Sequence, residues 1–152
     1  MSALRYSLMA AAILTMSAFV TTGASATAQS FVALLYGGNE VDGGGAANAG
    51  DPDGYGIATV SFVGRGRVCF TLFVVRINNP SAAHIHIGAA GTNGPVAIGL
   101  TPIPASGNPG TSSGCIKASR KQIAAIKKNP DGFYVNVHNA RYPGGAIRGQ
   151  LF

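Results

Sequence analysis

Three histidines carry most of the chemistry that this sequence offers. His84 and His86 alternate with isoleucines in a strand-like run, and His138 ends a second such run that begins at Phe133. Residues two apart on a strand leave the same face, so the imidazoles of His84 and His86 point the same way. Neutral imidazole is a common ligand of copper and zinc. If the two strands meet, the pattern predicts a metal site of three nitrogens.

The face on which these histidines lie follows from the alternation of polar and apolar residues. Ile85 and Ile87 are predicted to point into the core, and so are the valines that alternate with Tyr134, Asn136 and His138. The histidines therefore belong to the face away from the core. The alternative is that they are simply solvated there, or hydrogen-bonded to neighbours.

A cation follows on the last predicted strand, Ala146 to Phe152. Arg148 comes a short turn after His138, so its guanidinium could lie beside the histidine cluster. The alternative is a structural arginine that bonds loop carbonyls or a carboxylate such as Glu40. Spacing alone leaves both interpretations open.

Several other classes of chemistry lack their sequence signatures. The chain has no GxSxG elbow, no HExxH and no glycine-rich phosphate loop followed by lysine. Its formal net charge of +6 is a mild bias towards anionic partners. The basic residues are not interleaved with stacking aromatics, so we expect no nucleic-acid partner.

The first 28 residues are typical of a cleavable signal peptide. Arg5 supplies a positive charge, residues 8–20 are mostly apolar, and Ala26 to Ala28 present the small residues that signal peptidase accepts. Threonines and serines interrupt the apolar run before it reaches the ~20 residues that a spanning helix needs, so we expect no membrane span. The sequence predicts a signal peptide over 1–28, one domain over 29–152, and a secreted protein, periplasmic or extracellular.

Cys69 and Cys115 are the only two cysteines. An even count in an exported chain predicts one structural disulfide between them, with two unpaired thiols as the alternative.

The remaining pattern predicts an all-β fold. Short apolar runs separated by glycine- and proline-rich turns give about seven to eight strands, and long loops are expected over 37–56 and 101–114. One short helix is predicted after Ser119, with Asn129-Pro130 ending it. We therefore expect an antiparallel Greek-key β-sandwich or barrel with one short helix.

Three segments together resemble the CHRD family, first described as a repeat in chordin and also found as single exported domains in bacteria. They are residues 83–88 followed by 91–96, then residues 129–130 with 134–138, then residues 143–151, in the family's order over nearly all of 29–152. One departure is that Glu40-Val41 runs into Asp42 and glycines, where the family usually has prolines. Because the family has no firmly established activity, the resemblance implies the domain type rather than a reaction.

A second likeness concerns the copper site of copper superoxide dismutases, which are also Greek-key β-sandwiches. Its order is HxH on one strand, VH on a later strand and an arginine near the C-terminus. It implies copper ligands at His84, His86 and His138, with Arg148 guiding superoxide. The chain departs from it in having no fourth histidine and no long loop between His138 and Arg148.

Two functions follow from these expectations. The first is an exported metal-binding protein, copper favoured, with superoxide dismutase-like activity left open. The second is a non-catalytic extracellular or cell-envelope interaction domain that binds a protein or polysaccharide. The sequence does not decide whether the protein is an enzyme.

Overall fold

The computed structural model describes residues 29–152, so the predicted signal peptide lies outside the described residues. Within that range no helix is long and apolar enough to cross a membrane. Strands make up most of the structure, and one short α-helix, α1 (Arg120–Lys128), is present. The strands are β1 (Ser30–Tyr36), β2 (Tyr55–Val63), β3 (Arg67–Val75), β4 (Pro80–Ile87), β5 (Val96–Gly99), β6 (Gly110–Lys117), β7 (Phe133–Asn139) and β8 (Ile147–Gln150).

All eight strands belong to one curled sheet of order β5-β4-β7-β8-β1-β2-β3-β6. Every neighbouring pair is antiparallel. The connections from β3 to β4, from β5 to β6 and from β6 to β7 join strands that are not neighbours, and the last strand inserts between β7 and β1. The predicted all-β antiparallel fold with one short helix is confirmed.

The core fills the concave side of this sheet, as the alternation predicts. Every second residue of β2 and β3 is buried, and the opposing pairs include Val60 with Phe70 and Ala58 with Leu72. Burying one such valine, leucine or phenylalanine contributes roughly 1.5–3 kcal/mol relative to leaving it exposed. The buried hydrophobic residues on these two strands are Ala58, Val60, Phe62, Val68, Phe70, Leu72 and Val74.

Helix α1 closes part of the core and begins where the sequence predicts. Ser119 forms a capping box with Gln122, whose backbone N–H lies 3.2 Å from the Ser119 hydroxyl. Ile123 and Ile126 are buried against the sheet. The Gln122 side-chain amide donates to the Ala97 carbonyl at 2.6 Å, which ties the helix to β5.

The prediction of a loop over 101–114 is wrong for its last five residues, 110–114. Strand β6 begins at Gly110 and pairs with β3 along its length. Its glycine, serine and threonine residues show no apolar alternation, so backbone hydrogen bonds to β3 rather than side-chain burial define this strand. Cys69 and Cys115 lie directly opposite each other in that pairing and form the predicted disulfide.

The loop between β1 and β2, residues 37–54, folds back onto the sheet; we call it the first loop. It starts with a 3-10 helix at Gly37–Asn39 and contains an isolated bridge between Val41 and Ala47. Glu40, Val41 and Asp51 are buried. The first loop is therefore a packed cover, and it lies over the strands that carry the histidines.

Candidate metal centre

Neighbouring strands bring the three histidines together. In the β4–β7 pairing His84 lies opposite Asn136 and His86 opposite Tyr134, while His138 lies opposite Ala82. Residues directly opposite on antiparallel strands share a face, so all three imidazoles leave the same side. One ring nitrogen from each histidine lies within 4.8 Å of the others. The meeting of the two strands is confirmed.

The covering of this face differs from one residue to the next. His86 is 9% exposed and Tyr134 1%, whereas His84 and His138 are half-buried, and Ile85 on the core side is fully buried. The first loop and the segment between β4 and β5 both pack over the histidine side of the sheet. The prediction that Ile87 points into the core is wrong, because this last residue of β4 is 48% exposed at the end of the strand.

His86 has one nitrogen held by the backbone and the other free. Its Nδ1 donates to the Gly94 carbonyl at 2.9 Å, since a carbonyl can only accept. Nε2 therefore carries the lone pair, and it is buried with no hydrogen-bond partner in the described structure. A side chain at Gly94 would overlap the Ile87 carbonyl, so glycine is needed for this approach.

His138 is held in the same way from a different loop. Its Nδ1 donates to the Pro143 carbonyl at 3.0 Å, which leaves Nε2 as the acceptor. That Nε2 lies 3.1 Å from Nδ1 of His84, so His84 donates to His138. A metal at this point would need His84 to move its proton to Nε2, a change of tautomer without net loss of a proton.

The surroundings favour the uncharged form of all three imidazoles. Burial is the largest cause and lowers the pKa of each below the usual 6.5. The neighbouring histidines lower the pKa of His84 further. The hydrogen bonds to the Gly94 and Pro143 carbonyls raise the pKa of His86 and of His138, but the charge of Arg148 lowers that of His86 and His86 lowers that of His138. The pKa shifts therefore favour neutral rings with lone pairs available at pH 7, the form that binds metals.

Arg148 lies beside the cluster, and two of its nitrogens donate to protein groups. Its Nη2 donates to the Thr92 carbonyl at 2.8 Å and its Nη1 to Oδ1 of Asn93 at 3.2 Å. Its guanidinium carbon lies 3.6 Å from the centre of the Tyr134 ring, on which His86 also stacks. With 1% exposure, Arg148 matches the interpretation of an arginine that bonds loop acceptors.

Glu40 extends the buried polar layer from the first loop. It is 1% exposed, and its Oε1 has no hydrogen-bond partner among the described residues. Burial raises its pKa from 4.5 to about 7, although the charge of Arg148 and a hydrogen bond from Asn136 act in the opposite direction. A Cβ at Gly145, where φ is +149°, would lie 2.5 Å from Oε1, so only glycine fits there.

A cavity of about 500 Å³ lies between the first loop and β7, and Glu40, His86 and Asn136 are among its lining residues. Its size suits a small ligand.

The groups that orient the histidines are the Gly94 and Pro143 carbonyls. The sequence pattern does not predict them, because a backbone carbonyl leaves no signal in the residue type. They do fall in two of the segments that carry the family resemblance.

Comparison with known proteins identifies the domain type. The family model described as CHRD domain matches residues 31–151, from β1 to the end of β8. No curated protein and no solved structure matches this chain. The likeness to copper superoxide dismutases therefore stays a prediction.

Proposed function

The chain belongs to the CHRD domain family, and from this premise we propose that it is an exported protein that binds one metal ion through His84, His86 and His138. The observation that carries the proposal is the pair of backbone carbonyls that accept from Nδ1 of His86 and of His138. Metal-binding histidines almost always donate their other ring N–H to such a group, which fixes the tautomer and orients the ring. The buried, unpartnered Nε2 of His86 supports the same conclusion.

Copper is the metal we propose for this site. The donors are imidazole nitrogens, and such sites bind Cu²⁺ more tightly than Zn²⁺ in the usual order of divalent metals. Three protein ligands leave a coordination position for water or a small molecule, as in catalytic rather than closed structural sites. Bound copper would supply one-electron chemistry, while the chain's own residues bind and orient it. Superoxide dismutase-like activity stays a prediction.

Export is part of the same proposal. The disulfide between Cys69 and Cys115 fits an oxidising compartment, in which such bonds persist. Producing the full chain and sequencing the N-terminus of the secreted product tests the leader. Cleavage after Ala28 gives a chain that begins at Gln29, and retention of residues 1–28 would contradict it.

Metal titration of the secreted protein tests the site. We expect one Cu²⁺ or Zn²⁺ per chain, with copper displacing zinc. His86→Ala and His138→Ala should each weaken binding at least 100-fold, because two nitrogens remain. Asn79→Ala, a change at the exposed residue just before β4, is the matched control and should leave affinity unchanged. Absence of uptake, or uptake that survives both histidine changes, would overturn the proposal and leave the cell-envelope interaction domain.

A further inference from the structure

We propose that Arg148 is a positioning residue for the metal centre. Arg148 holds residues 92–94 in place and so keeps His86 in the one tautomer that leaves Nε2 free. Its consequence for metal binding rests on the proposed function. The tautomer itself can be measured without any metal.

The first link joins Arg148 to residues 92–94. The guanidinium donates from two nitrogens, to the Thr92 carbonyl at 2.8 Å and to Oδ1 of Asn93 at 3.2 Å. Arginine presents these donors in a rigid planar fork, so the two bonds together fix both the position and the orientation of the segment. Because Arg148 lies in the middle of the sheet on β8, it anchors an exposed turn to the rigid part of the fold.

The second link ties the same segment to the first loop. With Oδ1 occupied by Arg148, the Asn93 amide donates from Nδ2 to the carbonyls of Val41 and Asp42, at 3.1 and 2.8 Å. The arginine thus sets the direction of the Asn93 amide and, through it, the contact between two covering loops. Both loops lie over the histidine side of the sheet.

The third link reaches His86. The Gly94 N–H donates to the Tyr134 hydroxyl at 3.3 Å, and the Gly94 carbonyl accepts from Nδ1 of His86 at 2.9 Å. Tyr134 also stacks on the His86 ring, with the ring centres 4.9 Å apart and the planes 9° from parallel. Arg148 covers the same Tyr134 ring, so its removal loosens both the stack and the carbonyl.

A displaced Gly94 carbonyl would free the His86 proton. A neutral imidazole without a fixed acceptor at Nδ1 populates both tautomers, and the form protonated at Nε2 has no lone pair for a metal there. His138 is the internal reference, because its Nδ1 is held by Pro143 in a separate turn. Both side-chain hydrogen bonds of Arg148 go to residues 92 and 93 and neither goes to that turn.

Nitrogen-15 NMR of the histidine rings tests the inference in metal-free protein at pH 7.5. The wild type should show His86 and His138 each protonated at Nδ1 alone. In Arg148→Met the His86 ring nitrogens should move to the averaged positions of mixed tautomers, while His138 keeps its pattern. Arg148→Lys should do the same to a smaller extent, and Arg141→Lys, a change at an exposed arginine, should do nothing. Zinc affinity of the Arg148 variants should fall about 10- to 100-fold at unchanged stoichiometry.

If the changes at the buried Arg148 prevent folding, Asn93→Ala provides a second test, because it removes one acceptor of Arg148 at an exposed position. A single His86 tautomer in every folded variant would overturn the inference, and so would equal averaging of His86 and His138, which means general loosening. If the wild type binds no metal, the proposed function fails but the tautomer shifts still decide the role of Arg148.

Discussion

The side of the sheet that faces away from the core is exposed to water on one half of the sheet and buried on the other. On β1, β2 and β3, Leu34, Ile57 and Phe73 lie opposite one another and stay 44%, 42% and 39% exposed. On β7 and β8, Asn136 and Arg148 also lie opposite each other, yet they are 2% and 1% exposed. Apolar side chains thus meet water on one half, while polar and charged ones are buried on the other.

Loops create this difference. The first loop and residues 88–95 cover the half formed by β4, β7 and β8. Glu40 and Gly94 form hydrogen bonds to strand residues, and Asn93 forms one to the first loop. Burying polar groups without full hydrogen bonding costs free energy, and the low local dielectric strengthens each interaction that is made. The covered half, with the buried and unpartnered Glu40 Oε1 and His86 Nε2, is where we propose the binding site, and we treat the other half as its scaffold.

The largest expected effect is a loss of stability, without loss of metal affinity, when the disulfide on the scaffold half is removed. The disulfide closes a separation of 46 residues on the scaffold half, so replacing Cys69 and Cys115 together by serine should lower the free energy of unfolding by about 4 kcal/mol. Metal affinity should stay within twofold, because the histidines lie on the other half. Denaturant unfolding and metal titration of the same samples measure both. A large loss of affinity in folded protein would break the comparison.

The next effect depends on pH and belongs to the covered half. The pKa of Glu40 is raised from 4.5 to about 7, so between these values the unfolded chain loses this proton while the folded protein keeps it. The wild type should therefore lose stability as pH rises through this window, and Glu40→Gln should not. The difference in the free energy of unfolding between Glu40→Gln and the wild type should therefore change by about 3 kcal/mol from pH 4 to pH 8, in favour of the variant.

A carboxylate in the exposed part of the same loop provides the control for Glu40. Backbone N–H groups of Ala46 and Gly44 lower the pKa of Asp42. Its contribution is present at neutral pH and is lost as pH falls through the lowered pKa, the opposite sign. Asp42→Asn should therefore lose stability relative to wild type at neutral pH. If Glu40→Gln follows the pH profile of Asp42→Asn, then Glu40 is not buried as described.

The smallest effect compares one hydroxyl on each half. Tyr134→Phe removes the acceptor of the Gly94 N–H and should cost about 1 kcal/mol, because a half-buried donor loses its partner. Tyr55→Phe makes the same chemical change at a residue that is 42% exposed, and should stay within about 0.5 kcal/mol of wild type. Thermal unfolding of both variants sharpens the comparison, and equal losses would contradict it.

The apolar pattern was sufficient to predict most of the scaffold. Val60 and Leu72 are spaced so that one face of each strand is apolar, and both are buried as expected. Strand β6 was missed because Gly110 to Gly114 carry no such alternation and are ordered by pairing with β3. Side-chain burial leaves a signal in the sequence, whereas a strand formed by backbone pairing at the edge of a sheet does not.

The histidine site was predictable in its members but not in its surroundings. The spacing of His84 and His86, with His138 on a second strand, was enough to expect one shared face. That this face is covered depends on the paths of two irregular loops, which no periodicity encodes. The sequence offers Glu40 only as a possible partner of Arg148. Its burial beside Asn136 and the contact of the Gly94 carbonyl with His86 depend on the paths of those loops.

X-ray absorption at the zinc edge of the secreted, zinc-loaded protein tests the central claim most directly. We predict one ion per chain with three imidazole nitrogens at about 2.0–2.1 Å. Fewer than three imidazole ligands, or a shell made only of oxygen, would contradict a centre formed by His84, His86 and His138.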